Sequence, residues 1–304
     1  MEKTSKPRLM VLTAILFAVM TFVGLPQASA AGGEEDTEVA SGTATNIPTD
    51  IVNSWAYNQI TDLMEKGIVA GYEDKTFKPD NNVARAEFMV MINKAFGYNQ
   101  AMEISYTDVK AGDWFYNDVA IASAAGYIAG YDDGTMQPNA PVTREQAAVM
   151  LAKVLALDTT GYKLLPFTDT NTIGAWSLHS VSALFDAKMI SGYLDGTFKP
   201  ANPINRAEAA VLISKAVADR VPLASVTLQF PAITLQVGKS QTIFVTVKPD
   251  NASDKEVRWV SDDSAVATVT NAGYITAVAP GECTVSVTSR DGGKTSACVV
   301  TVIP

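Results

Sequence analysis

The sequence predicts a multi-domain protein in which three helical repeats are followed by an all-β sandwich. Two observations predict this fold class. Five residue types recur in one register across three copies between residues 48 and 222, where apolar residues have helical spacing. After residue 224 the pattern changes to alternation with a period of two. With 304 residues, 47% of them hydrophobic, the chain is long enough for two domains with separate cores.

The N-terminus has the features of a secretory signal peptide at residues 1–30. Three basic residues precede an apolar run at 9–23, and Ala28-Ser29-Ala30 is a small-x-small cleavage sequence. The apolar run is short for a membrane-spanning helix, so we expect cleavage and no membrane span afterwards. Residues 31–47 are small, polar and acidic, which predicts a flexible linker.

The repeats are defined by five markers, a Trp, a Gly-Tyr pair, a Pro, an Arg and a Lys. Each marker recurs at spacings of 59 and 62 residues, and the markers predict repeats at 48–103, 104–164 and 165–222. The markers are Trp55, Trp114 and Trp176; Gly71-Tyr72, Gly130-Tyr131 and Gly192-Tyr193; Pro79, Pro138 and Pro200; Arg85, Arg144 and Arg206; Lys94, Lys153 and Lys215.

Each repeat predicts two helices separated by a Gly-Tyr turn and a short irregular loop. The first helix begins near the Trp and is amphipathic. The second begins at the Arg and is apolar at seven or eight of nine positions over 88–96, 147–155 and 209–217. A helix that is apolar on all sides is buried, so we expect the three second helices to form a central bundle.

The second helices also have N-capping signals. Thr143 with Gln146, and Asn205 with Glu208, have the spacing of a capping box. In the first repeat Ala84 occupies the cap position, so one half of the box is missing there.

These motifs resemble the S-layer homology (SLH) domain over residues 48–220. The order is aromatic-x-Asp, Trp, Gly-Tyr, Phe-x-Pro and Thr-Arg-Ala-Glu, in three copies. The first motif occurs as Tyr106-Thr107-Asp108 and Phe167-Thr168-Asp169, and the last as Ala84-Arg85-Ala86-Glu87, Thr143-Arg144-Glu145-Gln146 and Asn205-Arg206-Ala207-Glu208. The first repeat departs from the pattern, with Pro48-Thr49-Asp50 in place of aromatic-x-Asp.

The resemblance implies a three-pronged helical unit that attaches exported proteins non-covalently to secondary cell-wall polysaccharides, often glycans with pyruvate ketals. It places the ligand in grooves between neighbouring repeats. The carbohydrate-binding residues implied by the matching positions are Asp50, Trp55, Gly71, Arg85, Asp108, Trp114, Gly130, Arg144, Asp169, Trp176, Gly192 and Arg206.

Elementary chemistry supports a ligand-binding function for the three arginines. A guanidinium offers a planar fork to a carboxylate, and each arginine lies where a helix begins. Each residue type also has a structural alternative. The arginines could form inter-repeat salt bridges, and the aspartates could cap the first helices as well as bind sugar. For the tryptophans we favour positions in the core over a role as sugar platforms.

The alternating pattern after residue 224 predicts a β-sandwich at 224–304. Ile243, Val245 and Val247 alternate with Thr242, Phe244 and Thr246, and turn signals recur at short intervals. The run 257–278 is similar to bacterial immunoglobulin-like (Ig-like) domains. That resemblance implies a spacer or interaction module, and the fold alone does not decide between the two.

The two cysteines, Cys283 and Cys298, lie on the last two predicted strands. If these strands pair through a two-residue Asp291-Gly292 turn, Cys283 is opposite Val300, and a disulfide requires another register. Export permits a disulfide. The sequence therefore allows either a disulfide between the two cysteines or two buried free thiols.

Composition excludes several classes of function. The net charge of −9 argues against non-specific nucleic-acid binding. One histidine, His179, and two cysteines are too few for a His/Cys metal cluster, and we expect neither a cofactor, nor a metal, nor enzymatic activity. We predict a secreted protein of the cell wall or surface that binds an anionic, pyruvylated wall polysaccharide, with other surface proteins as further partners. The alternative is an S-layer lattice or adhesive protein that acts mainly through the β domain.

Overall fold

The computed structural model describes residues 47–218 and 220–304, so the predicted signal peptide and nearly all of the linker lie outside it. In this part of the chain each repeat contributes two helices, and short 3-10 turns at Thr49–Ile51 and Thr170–Thr172 precede the first and fifth. The helices are α1 (Tyr57–Glu65), α2 (Arg85–Phe96), α3 (Tyr116–Ala124), α4 (Arg144–Val154), α5 (Leu178–Asp186) and α6 (Arg206–Ala218).

The three repeats close into a ring around a triangle of backbone hydrogen bonds. The N–H of Val83 donates to Ile204 O (3.0 Å), that of Ile204 to Val142 O (3.0 Å), and that of Val142 to Val83 O (2.9 Å). All three side chains are fully buried. Because each residue lies shortly before a second helix, these segments bring the starts of α2, α4 and α6 together at the centre.

The second helices are buried, as predicted, but the predicted central bundle is only partly formed. The closest packing joins each second helix to the first helix of the next repeat, in the pairs α2–α3, α4–α5 and α6–α1, and α2 also contacts α6. The extended segments before the second helices bond to one another in the middle of the ring. The hydrophobic core runs without interruption through all three repeats.

The predicted capping signals are formed. Thr143 Oγ1 accepts the N–H of Gln146 (3.3 Å), and Gln146 Oε1 accepts the N–H of Thr143 (3.1 Å). In the third repeat, Asn205 and Glu208 make the same two bonds. Ala84 has no side-chain acceptor, but its N–H donates to Glu87 Oε2 (2.8 Å), so this helix start keeps half of the box.

The C-terminal part folds into a β domain of three sheets. The strand orders are β1-β4, β2-β9-β8-β5 and β3-β7-β6, and all pairs are antiparallel except β2–β9. Buried aliphatic side chains and Trp259 form its core. The strands are β1 (Ser225–Leu228), β2 (Ala232–Gln236), β3 (Ser240–Thr242), β4 (Val245–Lys248), β5 (Val257–Ser261), β6 (Ala267–Val269), β7 (Tyr274–Ala277), β8 (Gly281–Ser289) and β9 (Thr295–Ile303).

The β8–β9 register decides the question of the cysteines. Cys283 is opposite Val300, as the sequence predicts, and Cys298 is opposite Val285. The connection spans residues 290–294, longer than the predicted two-residue turn. Both cysteines are buried free thiols, and burial raises the pKa of each thiol.

An ion pair connects the helical repeats to the β domain. Arg220, between α6 and β1, pairs with Asp291 in the β8–β9 connection and donates to the carbonyl of Phe96 at the end of α2 (2.8 Å). Asp291 also accepts the N–H of Leu223 (2.6 Å). The N–H of Gly292 donates to Gly97 O (3.1 Å), so the β domain contacts the first repeat directly.

Candidate ligand grooves between the repeats

Each of the three predicted arginines extends from the start of a second helix into the loop of the next repeat. Their Nε atoms donate to loop carbonyls, and their guanidinium groups lie over the ring of the Tyr in the Gly-Tyr pair. The Nε–O pairs are Arg85–Met136 (3.1 Å), Arg144–Phe198 (2.7 Å) and Arg206–Phe77 (2.8 Å). The ring closes because Arg206 of the third repeat reaches the loop of the first.

Two of the arginines form the inter-repeat salt bridges that the sequence left as an alternative. Arg144 pairs with Glu208 (3.2 Å) and Arg206 with Glu87 (3.6 Å). Glu208 therefore has two functions, because its Oε2 caps the start of α6 while its Oε1 accepts from Arg144 and from the Tyr193 hydroxyl. From the sequence, only the capping function is predicted.

The predicted aspartates hold the loops and do not cap the first helices. Each carboxylate accepts hydrogen bonds from two consecutive backbone N–H groups, those of the two residues before Pro79, Pro138 or Pro200 in its own repeat. The bonds run to Asp50 from Phe77 (2.9 Å) and Lys78 (2.7 Å), to Asp108 from Met136 (2.7 Å) and Gln137 (2.8 Å), and to Asp169 from Phe198 (2.7 Å) and Lys199 (2.8 Å). The loop carbonyls that accept from the arginines are therefore positioned by these aspartates.

The predicted tryptophans are exposed, so our preference for core positions was wrong. The exposed fractions of Trp55, Trp114 and Trp176 are 66%, 64% and 60%. Trp55 and Trp114 line grooves, whereas Trp176 folds over Gly174 in its own loop. Their position at the entrance to the short first helix, and not within its apolar face, explains the exposure.

The predicted glycines lie where the loop closes under the aromatic-x-Asp motif. A Cβ atom on Gly130 would lie 2.5 Å from the Tyr106 ring and 2.9 Å from Thr135 O. Gly192 and Gly71 have the same close neighbour, a Thr carbonyl at 2.8 Å, with Phe167 and Pro48 in the place of Tyr106. The first repeat has Pro48 in place of the aromatic residue, and Pro48 covers Gly71 in the same way.

We expect Gly130→Ala to lower the free energy of unfolding by about 2 kcal/mol, because the added methyl group collides with a backbone carbonyl and a packed ring. Urea unfolding followed by circular dichroism measures the change. Gly112→Ala is the matched control, because a Cβ there meets no atom within 4 Å. Equal stabilities of the two variants would contradict the close packing.

Of two groove cavities among the described residues, the larger lies where all three repeats meet. Its volume is about 720 Å³, and it is lined by Arg144 from the second repeat, by Gly192, Tyr193 and Glu208 from the third, and by Trp55 from the first. Burial, together with the hydrogen bond to Glu208, raises the pKa of Tyr193 to about 12, so its hydroxyl stays a donor. A smaller cavity of about 200 Å³ repeats the arrangement with Arg206, Glu87 and Trp114.

The larger cavity combines an arginine, a tyrosine hydroxyl, an exposed indole and an aliphatic floor. Such a surface can bind a sugar through its apolar face and its hydroxyl groups. Within residues 47–218 and 220–304, no group of three or more His, Cys, Asp or Glu side chains could hold a metal ion. In the same residues, no helix has the length and apolarity needed to cross a membrane.

The tyrosine of the Gly-Tyr pair and the residue that ends the Thr-Arg-Ala-Glu motif lie beside the arginines, and neither was predicted from the sequence as part of a groove. Tyr72, Tyr131 and Tyr193 were markers of a turn, although their recurrence beside an invariant register of arginines was a usable signal. The final motif residue differs between repeats, as Glu87, Gln146 and Glu208, and that difference changes the charge beside each arginine.

The sequence matches the S-layer homology domain at residues 49–89, 105–148 and 166–210, and the bacterial Ig-like domain (group 2) at residues 222–300. These matches agree with the repeats and with the β domain described above. Both domains had been inferred from their motifs alone, and both inferences are confirmed.

Three curated proteins of Acetivibrio thermocellus are similar to this chain. Cell surface glycoprotein 1 is 31% identical over 185 residues, 55% of this chain and 8% of that protein. Exoglucanase XynX is 34% identical over 170 residues, 54% of this chain and 16% of that enzyme. The cellulosome-anchoring protein is 32% identical over 170 residues, 53% of this chain and 37% of that protein.

The chain thus spans between 8% and 37% of the length of these relatives, and the similarity to an enzyme is confined to a small part of it. What the relatives share with this chain is a segment about as long as the three repeats. The chain is therefore an SLH-domain protein of the bacterial cell surface, with three SLH repeats followed by a bacterial Ig-like domain.

Proposed function

We propose that the three SLH repeats anchor this protein non-covalently to the cell wall by binding a pyruvylated secondary wall polysaccharide in the inter-repeat grooves. The observation that carries the proposal is the 720 Å³ cavity in which Trp55, Arg144 and Tyr193 meet over an aliphatic floor. Its volume suits one or two sugar residues. The exposed indole offers a flat apolar face to a sugar ring, and the polar groups offer hydrogen bonds.

Within this proposal the predicted site residues divide into two groups. Arg144 and Arg206, together with Trp55 and Trp114, line the two cavities and would contact the glycan, as Arg85 would at the third junction. The aspartates and glycines position the loops that carry the groove backbone, because their contacts lie within the loops themselves. The anion is attracted by local donors, since the chain as a whole is negatively charged.

In this proposal the protein is an anchor without enzymatic activity. Its Ig-like domain is displayed as a spacer or interaction module. The cellulosome-anchoring protein among the relatives supports an anchoring function by its name. The salt bridge of Arg220 with Asp291 and the hydrogen bond of Gly292 with Gly97 support a β domain that keeps a fixed orientation on its anchor.

We expect Trp55→Ala to weaken binding to isolated cell walls about fivefold, because an aromatic face worth about 1 kcal/mol is removed from this cavity. The assay is co-sedimentation of the purified chain with walls, before and after chemical removal of the pyruvate ketals. Because Trp55 is exposed, the melting temperature of the variant should stay unchanged. Arg144→Ala is less suitable, since it also breaks the pair with Glu208.

Phe244→Ala is the matched control, because Phe244 is an aromatic residue of the β domain and is 67% exposed. It should bind walls as the wild type does. Wild-type binding that survives ketal removal, together with an unaffected Trp55→Ala variant, would overturn the proposal.

A second candidate function is a lattice or adhesive protein that acts through the β domain. It is favoured by the exposure of Phe244 and Tyr274 beside the β3-β7-β6 sheet, where apolar side chains face solvent. The same experiment separates the two functions, since a loss of wall binding in Phe244→Ala alone would support this candidate.

A further inference from the structure

The β domain has an open strand edge beside the helical repeats. β5 forms one edge of the four-stranded sheet and pairs only with β8. The N–H of Arg290, just beyond β8, donates to Glu256 O (2.9 Å). Because bonding alternates along an antiparallel pair, the even-numbered residues of β5 bond to β8, and the odd-numbered ones, including Val257 and Trp259, direct their N–H and C=O groups to the open side. In the described part of the chain these groups have no hydrogen-bond partner.

A cavity of about 310 Å³ lies along this edge, between the β domain and the first two repeats. Its β wall includes Val257 and Arg258, and its helical wall includes Gln100 and Ala124. The side chain of Val257 packs against the β core, so this residue faces the cavity with its backbone. The cleft therefore leads to the unpaired backbone groups and has a wall on each side, which suits a single extended chain better than a folded domain.

Arg258 gives this edge a positive charge that is not neutralised. Its side chain is exposed and forms no ion pair within the described residues, because the carboxylates of Asp254 and Glu256 pair with Arg290. Since the backbone of Arg258 bonds to β8, a strand added on the open side would meet it at a non-hydrogen-bonded position, where opposing side chains come closest. A carboxylate on the added strand would therefore complete an ion pair with Arg258.

We propose that the cleft between the first two repeats and the β domain binds an extended acidic peptide segment of another surface protein, which adds a strand to the open edge of β5. Backbone hydrogen bonds to Val257 and Trp259 give the affinity, and a carboxylate opposite Arg258 gives the preference for acidic segments. The inference assigns an interaction function to the Ig-like domain, and it does not rest on the proposed binding of wall polysaccharide.

Amide hydrogen exchange of the free chain tests whether the edge is open. The N–H groups of Val257 and Trp259 should exchange about tenfold faster than those of Arg258 and Val260, which are bonded to β8. The two sets alternate along one strand, so each residue has its control beside it. Equal protection of all four amides would show that the edge is closed, and it would overturn the inference.

The probe is the capped peptide acetyl-Thr-Val-Glu-Val-Thr-amide, and its counterpart has Lys in place of Glu. In NMR titrations of the full chain, the Glu peptide should bind about fivefold more tightly than the Lys peptide, because one forms a cross-strand ion pair and the other opposes like charges. The Glu peptide should also slow the exchange of the Val257 and Trp259 amides. A Glu peptide with both valine nitrogens methylated cannot form the strand hydrogen bonds and should not bind.

Two variants test the two walls of the cleft. Arg258→Glu should reverse the preference between the peptides, because it inverts the charge of an exposed side chain. Lys239→Glu is the matched control, since Lys239 is another exposed basic residue of the β domain and does not line the cavity. Ala124→Phe fills the cleft from the helical side and should abolish binding of the Glu peptide.

Several results would overturn the inference. One is a Glu peptide that binds no better than the Lys peptide, or that Arg258→Glu binds as tightly as the wild type does. Another is the absence of binding by either peptide, which would leave Arg258 the function of protecting the edge from pairing. Sedimentation velocity tests a different occupant, because a wild-type dimer that dissociates in Arg258→Glu would place a second copy of the chain on the edge. If Ala124→Phe does not fold, Arg258→Glu and the methylated peptide decide.

Discussion

Replacing Asp291 by Asn is expected to lower the free energy of unfolding by about 3 kcal/mol. Asp291 is 2% exposed, and its carboxylate pairs with Arg220 and accepts the N–H of Leu223. Asparagine keeps the size of the side chain but leaves the guanidinium of Arg220 in a buried place without its counter-charge. Breaking one half of a buried ion pair costs this much because the remaining charge stays desolvated.

Urea unfolding followed by circular dichroism measures this loss, and Asp250→Asn is the control. Asp250 also forms an ion pair, with Lys248, but its side chain is 82% exposed, so its removal should change stability by less than about 1 kcal/mol. If the two variants were equally stable, the Arg220–Asp291 pair would contribute nothing that an exposed pair does not.

The position of this pair also predicts a change in cooperativity. Arg220 and Asp291 join the helical repeats to the β domain, and Arg220 donates to Phe96 O as well. We expect one calorimetric transition in the wild type and two in Asp291→Asn, because the domains then unfold separately. A single transition in both proteins would show that other contacts couple the domains.

Local features of the fold could be predicted from the sequence because they depend on neighbouring residues. Helical spacing, capping residues and β alternation identified the elements, and alternation also gave the pairing of Cys283 with Val300. The ring could not be predicted in this way. It depends on contacts between distant residues, such as Val83 with Ile204, that leave no periodic trace in the chain.

The sequence predicted which residues belong to the candidate site, but it did not predict which contacts they make. The arginine register located the grooves, yet nothing in the sequence shows that the guanidinium extends into the following repeat. Glu208 was understood only as a cap, because a motif cannot reveal that one carboxylate oxygen caps while the other pairs with Arg144. The exposure of the tryptophans was predicted wrongly. Each lies just before a first helix, where the helical spacing of apolar residues does not show whether a side chain is buried.

The second large effect is expected at Asp169, whose replacement by Ala should lower the free energy of unfolding by about 2 kcal/mol. Its two oxygens accept the backbone N–H groups of Phe198 and Lys199, and bonds to a charged acceptor are stronger than neutral ones. Lys199 has a φ of 56°, a left-handed conformation that is unfavourable for a residue with a side chain. The carboxylate therefore holds a strained loop. Because Asp169 is partly exposed, we expect its loss to lower the free energy of unfolding by no more than this amount.

Thermal unfolding measures this change, with an expected fall in melting temperature of about 5 °C. Asp62→Ala is the control, because Asp62 forms only an exposed pair with Lys66 one helical turn away and should change the melting temperature little. An Asp169→Ala variant as stable as Asp62→Ala would contradict the loop-holding function.

The same variant separates positioning from direct sugar binding. Phe198 O accepts from Arg144 Nε at 2.7 Å, so a loosened loop also displaces one side of the largest groove. If Asp169 only positions the loop, Lys199→Gly should restore part of the stability and of the wall binding of Asp169→Ala, because glycine adopts the left-handed conformation without strain. If stability is recovered but wall binding is not, Asp169 contacts the glycan itself, as the resemblance to SLH domains implies.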